Sequence, residues 1–169
     1  ASKYKNVEYK LLSLEELFNS FENTLNNFNN EHGFANSRAR LRMATLYQVA
    51  AANSGLVVGT GNKVEDFGVG FYTKYGDGGV DISPIADCNK TDVWEMGKEL
   101  NILKEIIDAA PTDGLWDDGR TDEGQLGLKY SELEEAMNNI NSSNREKYEK
   151  IRKLNLHKME PIPVCKIPN

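Results

Sequence analysis

Two stretches of this chain concentrate residue types that do chemistry. The first is Gly59-Thr60-Gly61-Asn62-Lys63-Val64-Glu65, which follows the apolar run Leu56-Val57-Val58. A loop leaving the carboxyl end of a parallel strand and opening a helix presents backbone N–H groups to an anion or nucleotide. Val64 stands where a dinucleotide-binding fingerprint needs its third glycine, and the chain contains no Walker A run. A nucleotide site and a plain tight turn between strand and helix both fit these glycines. The second stretch is Phe71-Tyr72-Thr73-Lys74-Tyr75-Gly76-Asp77-Gly78-Gly79-Val80-Asp81. Its glycines let backbone approach a ligand closely, Lys74 suits a phosphate or carboxylate, and an aspartate suits a ribose hydroxyl or an amine. A glycine-rich turn with solvated charges is the alternative. Residues 55–79 hold eight of the chain's 14 glycines.

The elements that must position these stretches read as helices around a short strand. Leu14, Leu17, Phe18, Phe21, Leu25 and Phe28 share one helical face, with a Ser13/Glu16 capping box at its start. Five asparagines between Asn23 and Asn30, then Gly33, read as a polar loop. A second helix is expected over residues 37–53, with Met43, Leu46, Tyr47 and Ala50 on one face. Gly55 to Gly59 reads as a buried strand of a parallel sheet covered on both sides. Residues 81–85 read as a short extended segment ended by Pro84. Val93, Met96, Gly97 and Leu100 mark a further helix. After an acidic loop from Pro111 to Gly124, Ser131/Glu134 and Ser143/Glu146 read as capping boxes of two more helices. The tail from Pro161 to Asn169, with three prolines, reads as extended. Trp94 and Trp116 are expected to pack rather than bind, and His32 to lie on the surface.

Composition bounds the function. The 169 residues carry 20 Lys+Arg against 26 Asp+Glu, a net charge of −6, which disfavours a broad nucleic-acid surface but not a focused cationic pocket. No apolar run exceeds four residues, whereas a membrane span needs about 20. The first residues lead into no signal-peptide core. Cys88 and Cys165 lack metal spacing and read as free thiols of a cytoplasmic protein, Cys88 as a small buried hydrophobe. The acidic loop does not follow the calcium-binding pattern of an EF-hand.

The run Arg40-Leu41-Arg42-Met43, the two stretches above, Asn89-Lys90-Thr91, Ala110-Pro111-Thr112, Leu115-Trp116, Thr121-Asp122-Glu123, Leu126-Gly127-Leu128-Lys129-Tyr130 and His157-Lys158 together resemble ammonia-dependent NAD synthetase. That family belongs to the N-type ATP pyrophosphatases. The resemblance covers about Arg38 to Lys158, and Tyr75-Gly76-Asp77-Gly78 is its most specific part. It implies an α/β fold: a Rossmann-like adenine-nucleotide alpha-hydrolase-type parallel sheet with flanking helices, here incomplete in its N-terminal half. The implied reaction adenylates the carboxylate of deamido-NAD with ATP and then replaces AMP by ammonia, giving NAD. Thr60, Lys90 and Thr112 would contact ATP, and Glu65 would ligate Mg²⁺. Arg40, Lys74, Asp81, His157 and Lys158 would hold deamido-NAD. A homodimer is implied as well.

Two departures qualify the resemblance. The spacing from Glu65 to Phe71 is one residue longer than in some members. The family's pyrophosphate loop, Ser-Gly-Gly-x-Asp-Ser, occurs nowhere in these residues. Residues 1–169 therefore read as the C-terminal part of a single synthetase domain, inactive as an isolated chain. The alternatives are a non-catalytic nucleotide-binding or dimerisation module, or another N-type ATP pyrophosphatase that amidates a different nucleotide.

Overall fold

The computed structural model describes residues 4–168. Ala1 to Lys3, and Asn169 at the end of the tail, lie outside them. Helix α1 (Glu15–Thr24) buries only Phe18, which meets the edge of Phe34 at a centroid distance of 6.5 Å and lies 4.2 Å beneath the Arg38 guanidinium. Leu17 and Phe28 are exposed, so the apolar face is narrower than its spacing implies. The Ser13/Glu16 box does not form. Leu14 occupies the cap, and Ser13 Oγ accepts only the Glu15 N–H, at 3.4 Å.

Helix α2 (Glu31–Ala52) starts six residues before the sequence reading placed it. Asn30 is the reason: its side chain accepts the Gly33 N–H at 2.7 Å and caps the first turn. An asparagine cap is worth about 1 kcal/mol, which offsets the similar penalty of a helical glycine.

The parallel sheet expected from Gly55 to Gly59 is not found. Among the described residues it reduces to one parallel bridge between Val58 and Ile82, flanked by Gly59 N–H donating to Ile82 O at 2.7 Å and Asp81 N–H to Val57 O at 2.9 Å. Val57 is buried, but Leu56 is 66% exposed and Val58 54% exposed. The physical reason is plain: a run apolar on both faces becomes a central strand only with neighbours on both sides, and here it has one.

A π-helix (Lys63–Val69) follows the bridge, and turns lead from it to α3 (Lys90–Glu99) and the single-turn α4 (Lys104–Ile107). Then come α5 (Asp122–Leu126), α6 (Tyr130–Asn138) and α7 (Arg145–Met159). α4 and α5, each about one turn long, were not foreseen, because such short elements carry no readable period. Both later capping boxes are displaced. Lys129 precedes α6, and its N–H is taken by Glu132 at 2.7 Å, so Ser131 lies inside the helix; Glu134 instead accepts from the Thr91 backbone and hydroxyl. Asn144 occupies the cap of α7 without a side-chain bond. Cys88 is only half-buried, and both cysteines are free. No helix among the described residues is long and apolar enough to cross a membrane.

The core lies where the π-helix, α6 and α7 meet. Val64, Val69, Tyr130 and Leu133 are fully buried there, with Tyr148 closing one side. One stripe of α7 also finishes the π-helix. Tyr148 Oη donates to Gly68 O at 3.3 Å, Arg152 to the carbonyls of Phe67 and Gly68, and Asn155 Nδ2 to Val69 O at 3.0 Å. Lys158 Nζ then reaches Gly70 O at 2.9 Å and Tyr72 O at 2.8 Å. Gly70 ends the π-helix at φ +68°, and a Cβ there would stand 2.6 Å from Asn155 Cβ, so a side chain is excluded on both counts.

Leu133 is the simplest probe of this core. Leu133→Ala is expected to destabilise the chain by about 3 kcal/mol, read as a lower urea midpoint with an unchanged slope.

Candidate functional site

A cavity of about 520 Å³ opens beside the bridge and the π-helix. Thr60, Glu65, Lys90, Thr112 and Lys158, from separate parts of the chain, all line it. Asn62 sets the entry from bridge to π-helix. Its buried Oδ1 accepts the N–H groups of Val64 at 3.0 Å and Glu65 at 3.1 Å, which fixes the turn that carries Glu65. A Cβ at Gly61 would come 2.1 Å from Asp66 Oδ2, so any side chain there would have to push the Asp66 carboxyl aside.

Glu65 is the hub. Its Oε1 accepts from Lys90 Nζ at 2.9 Å and from the Tyr130 hydroxyl at 2.5 Å, and both ionic side chains are mostly buried, 19% exposed for Lys90 and 15% for Glu65. The ammonium also lies 4.9 Å from the Tyr130 ring centroid, while Trp94 meets that ring edge-on at 6.0 Å. The other face of the Tyr130 hydroxyl contacts Asp122 Oδ2 at 3.1 Å. Burial and these two carboxylates push the Tyr130 phenol far up, so it stays protonated. Burial, reinforced by Glu65, also raises the Asp122 carboxyl, against the Tyr130 hydrogen bond and Lys90, which pull it down.

Three of the remaining expected residues form a second group. Arg40 Nε and Nη2 each donate to Lys74 O at 3.3 Å, and Lys74 Nζ donates to His157 O at 2.7 Å. This basic ridge links α2 to the end of α7 and adjoins Lys158, whose ammonium is half-buried; burial lowers its pKa, with Asp77 opposing. Asp81 stands apart. Its Oδ1 accepts the Tyr47 hydroxyl at 3.1 Å and its Oδ2 the Val57 N–H at 2.8 Å, so it ties the bridge segment to α2. Thr112 Oγ donates to Arg120 O at 3.2 Å and accepts the Gly114 N–H at 3.3 Å. Trp116 also lines the cavity; its ring stacks on the exposed His32 at 6.1 Å, and the Arg120 guanidinium lies 4.0 Å from the ring centroid.

The sequence reading assigned no role to Asp66, Tyr130 or Asp122. Tyr130 and Asp122 sit inside matched motifs, but a buried tyrosine reads as core until its hydroxyl is seen between two carboxylates. Among the described residues no group of three or more His, Cys, Asp or Glu converges as a metal cluster.

Asp66 supplies a pH test. Its carboxyl is pushed up to about 6, first by burial and then by the charges of Glu65 and Asp77. A raised folded-state value means the native chain holds a proton that the unfolded chain has released between about pH 4 and 6. That contribution is full below about pH 4 and lost as pH rises through 6. Asp66→Asn is expected to lose less stability than the parent chain between about pH 4.5 and 7, measured by denaturant titration at each pH.

A family profile described as NAD synthase matches residues 3–167. The NH(3)-dependent NAD(+) synthetase of Alkaliphilus oremlandii is 43% identical over 141 residues, covering 78% of this chain and 56% of its own. The protein of the same name from Archaeoglobus fulgidus is 37% identical over 167 residues, covering 95% and 66%. Among solved structures, NMN synthetase from Francisella tularensis superposes with a TM-score of 0.85 at 32% identity, over 97% of this chain and 68% of that one. The chain thus spans between half and two thirds of the length of the curated relatives it matches. It belongs to the NAD synthase family.

Proposed function

We propose that this chain is the C-terminal part of a single ammonia-dependent NAD synthetase domain, a ligase that converts deamido-NAD to NAD with ATP. The observation that carries the proposal is the convergence of Thr60, Glu65, Lys90, Thr112 and Lys158 on one cavity, with Arg40 and Lys74 ordered by the Lys74 and His157 carbonyls in a basic ridge that adjoins Lys158. The relatives' names supply the substrate class. In the reaction, a carboxylate oxygen of deamido-NAD attacks the α-phosphorus of ATP, and the bond to the leaving pyrophosphate breaks. Ammonia then attacks the acyl carbon, loses a proton, and AMP departs.

The chain's own residues fit these steps. Lys90 is an ammonium held at the cavity wall by Glu65, positioned to meet negative charge that develops on the phosphoryl oxygens. Thr60 and Thr112 offer hydroxyls to phosphate or sugar. Arg40 and Lys74 present positive charge to a dinucleotide pyrophosphate, His157 offers an exposed imidazole beside them, and Lys158 holds the turn between ridge and cavity. Asp81 acts on this ligand through the bridge segment it ties.

Glu65 also fits Mg²⁺. Its Oε2 accepts no hydrogen bond among the described residues, and a carboxylate is the hard oxygen donor this cation prefers, completed by water and phosphate. When bound, the ion would supply charge neutralisation between phosphates. A homodimer in the cytoplasm completes the proposal; exposed Leu46 and Val49 on α2 offer apolar surface for such a contact.

A second reading draws on the Francisella neighbour, which acts as an NMN synthetase. It would place a mononucleotide rather than a dinucleotide in the same site. Both readings are tested by following AMP release in the protein that carries this chain, with ATP, ammonia and either deamido-NAD or the corresponding mononucleotide. Turnover of the mononucleotide alone favours the second; no AMP with either overturns both. Under the first reading, Lys90→Met lowers kcat by about 10²-fold with a smaller change in the KM for deamido-NAD, whereas Arg40→Ala chiefly raises that KM.

A further inference from the structure

Lys90 is aimed by its backbone as well as by its charge. Its ammonium meets Glu65 of the π-helix at 2.9 Å and lies 4.9 Å from the ring centroid of Tyr130 on α6. The backbone on either side of it is tied to the same two elements. Before it, Cys88 O accepts the Lys63 N–H at 2.8 Å and Asp87 pairs with the Lys63 ammonium at 2.9 Å, so the chain entering α3 is fixed to the start of the π-helix. After it, Glu134 of α6 grips Thr91 with both carboxylate oxygens. Its Oε1 accepts the Thr91 N–H at 3.0 Å and its Oε2 the Thr91 hydroxyl at 2.7 Å.

This cap comes from outside the helix it serves. The Thr91 N–H is a first-turn donor of α3 with no partner inside the helix. Asn89, the residue before α3, carries the side chain that ordinarily takes such a donor, yet its buried Oδ1 accepts nothing among the described residues. Glu134 takes it instead, four residues after Tyr130 and on the same face of α6. A local cap would hold α3 only to itself, whereas this one holds α3 to the element that carries Tyr130. Neither Glu134 nor Thr91 lines the cavity, so an effect of Glu134 on chemistry there passes through Lys90.

Resting on the synthetase reading above, we propose that Glu134 is a positioning residue for Lys90: by clamping Thr91 to α6 it fixes the point from which the lysine stem reaches the phosphoryl oxygens. A lysine stem is flexible and its ammonium is a point charge, so its aim depends on a fixed Cα. A misplacement of about 1 Å can cost about 10²-fold in rate. The clamp uses the two acceptors rather than the charge. Glutamine keeps both contacts, because the Thr91 hydroxyl accepts as well as donates, and alanine keeps neither.

The test is a double-mutant cycle on AMP release in the protein that carries this chain, with ATP, ammonia and deamido-NAD. Glu134→Ala is expected to lower kcat about 10-fold with little change in the KM for deamido-NAD, and Glu134→Gln to keep most of the rate. Combined with Lys90→Met, Glu134→Ala is expected to cost less than about 2-fold further, because the lysine it aims is gone. A Glu134 that only supports the fold costs the same factor with or without Lys90. That result overturns the proposal, as does an unchanged kcat in Glu134→Ala. Should circular dichroism show Glu134→Ala misfolded, Thr91→Val removes the hydroxyl contact alone and runs the same cycle with a smaller loss; additivity there overturns the proposal equally. A parent protein that releases no AMP overturns the synthetase reading, and the clamp is then judged by NMR with labelled lysine. The ε-methylene signal that Lys90→Met deletes is displaced by the Tyr130 ring; it is expected to move towards the other lysines in Glu134→Ala and to stay in Glu134→Gln. A signal unmoved in Glu134→Ala overturns the proposal.

Discussion

A π-helix ends with carbonyls that its own backbone cannot satisfy, and here α7 satisfies them. Tyr148, Arg152, Asn155 and Lys158 recur at spacings of four, three and three, one face of an α-helix, and between them they meet the carbonyls of Phe67, Gly68, Val69, Gly70 and Tyr72. Each neutral bond contributes about 1 kcal/mol and those from charged donors somewhat more. The same contact buries Val64 and Val69 against Leu133 and Tyr148. Glu65 lies between the two valines, one turn back from the carbonyls. A shift of α7 along its axis therefore moves the hub of the site, which is how a helix far away in sequence governs the cavity.

The net charge of −6 conceals how cations are used locally. Lys90 is paired with a carboxylate, Lys158 with two carbonyls, Lys74 with one carbonyl, and Arg40 with Lys74's own carbonyl. Carbonyls orient an ammonium without neutralising it, so the ridge keeps its positive field while its geometry is fixed. Lys90 differs, because Glu65 cancels its charge until something competes for either partner. A part-buried pair of this kind is costly to break by removing one partner.

What the sequence makes legible follows from the range of the interactions concerned. The glycine turn, the Lys63 to Val69 helix start and the helices around Met43, Val93, Leu133 and Ile151 are local patterns, and they appear. Thr60, Glu65, Lys90, Thr112 and Lys158 were singled out through motif resemblance, for three different ligands, and through no periodicity; that all five line one cavity is visible only in the fold. Helix starts were displaced because Ser131 and Ser143 match a capping box as well as the positions actually used, and backbone geometry chooses between them. Tyr130 and Asp122 were invisible as a pair. Eight residues apart, they become chemistry only when α5 and α6 fold back on the π-helix.

Asp81 shows how a single bridge can hold a loop that a sheet would ordinarily hold. The segment Leu56 to Gly59 has one neighbour, and a lone ladder contact is marginal by itself. The Asp81 carboxylate adds a bond to the Val57 N–H on one oxygen and to the α2 tyrosine, Tyr47, on the other. One side chain thereby joins the backbone before Thr60 to the helix that carries Arg40. Each oxygen accepts one of these bonds and keeps a second lone pair, and Asp81 is exposed, so a ligand donor can add to them without loosening the glycine turn or α2. Asp81 thereby sets the distance between the cavity and the basic ridge while both its internal bonds stay in place.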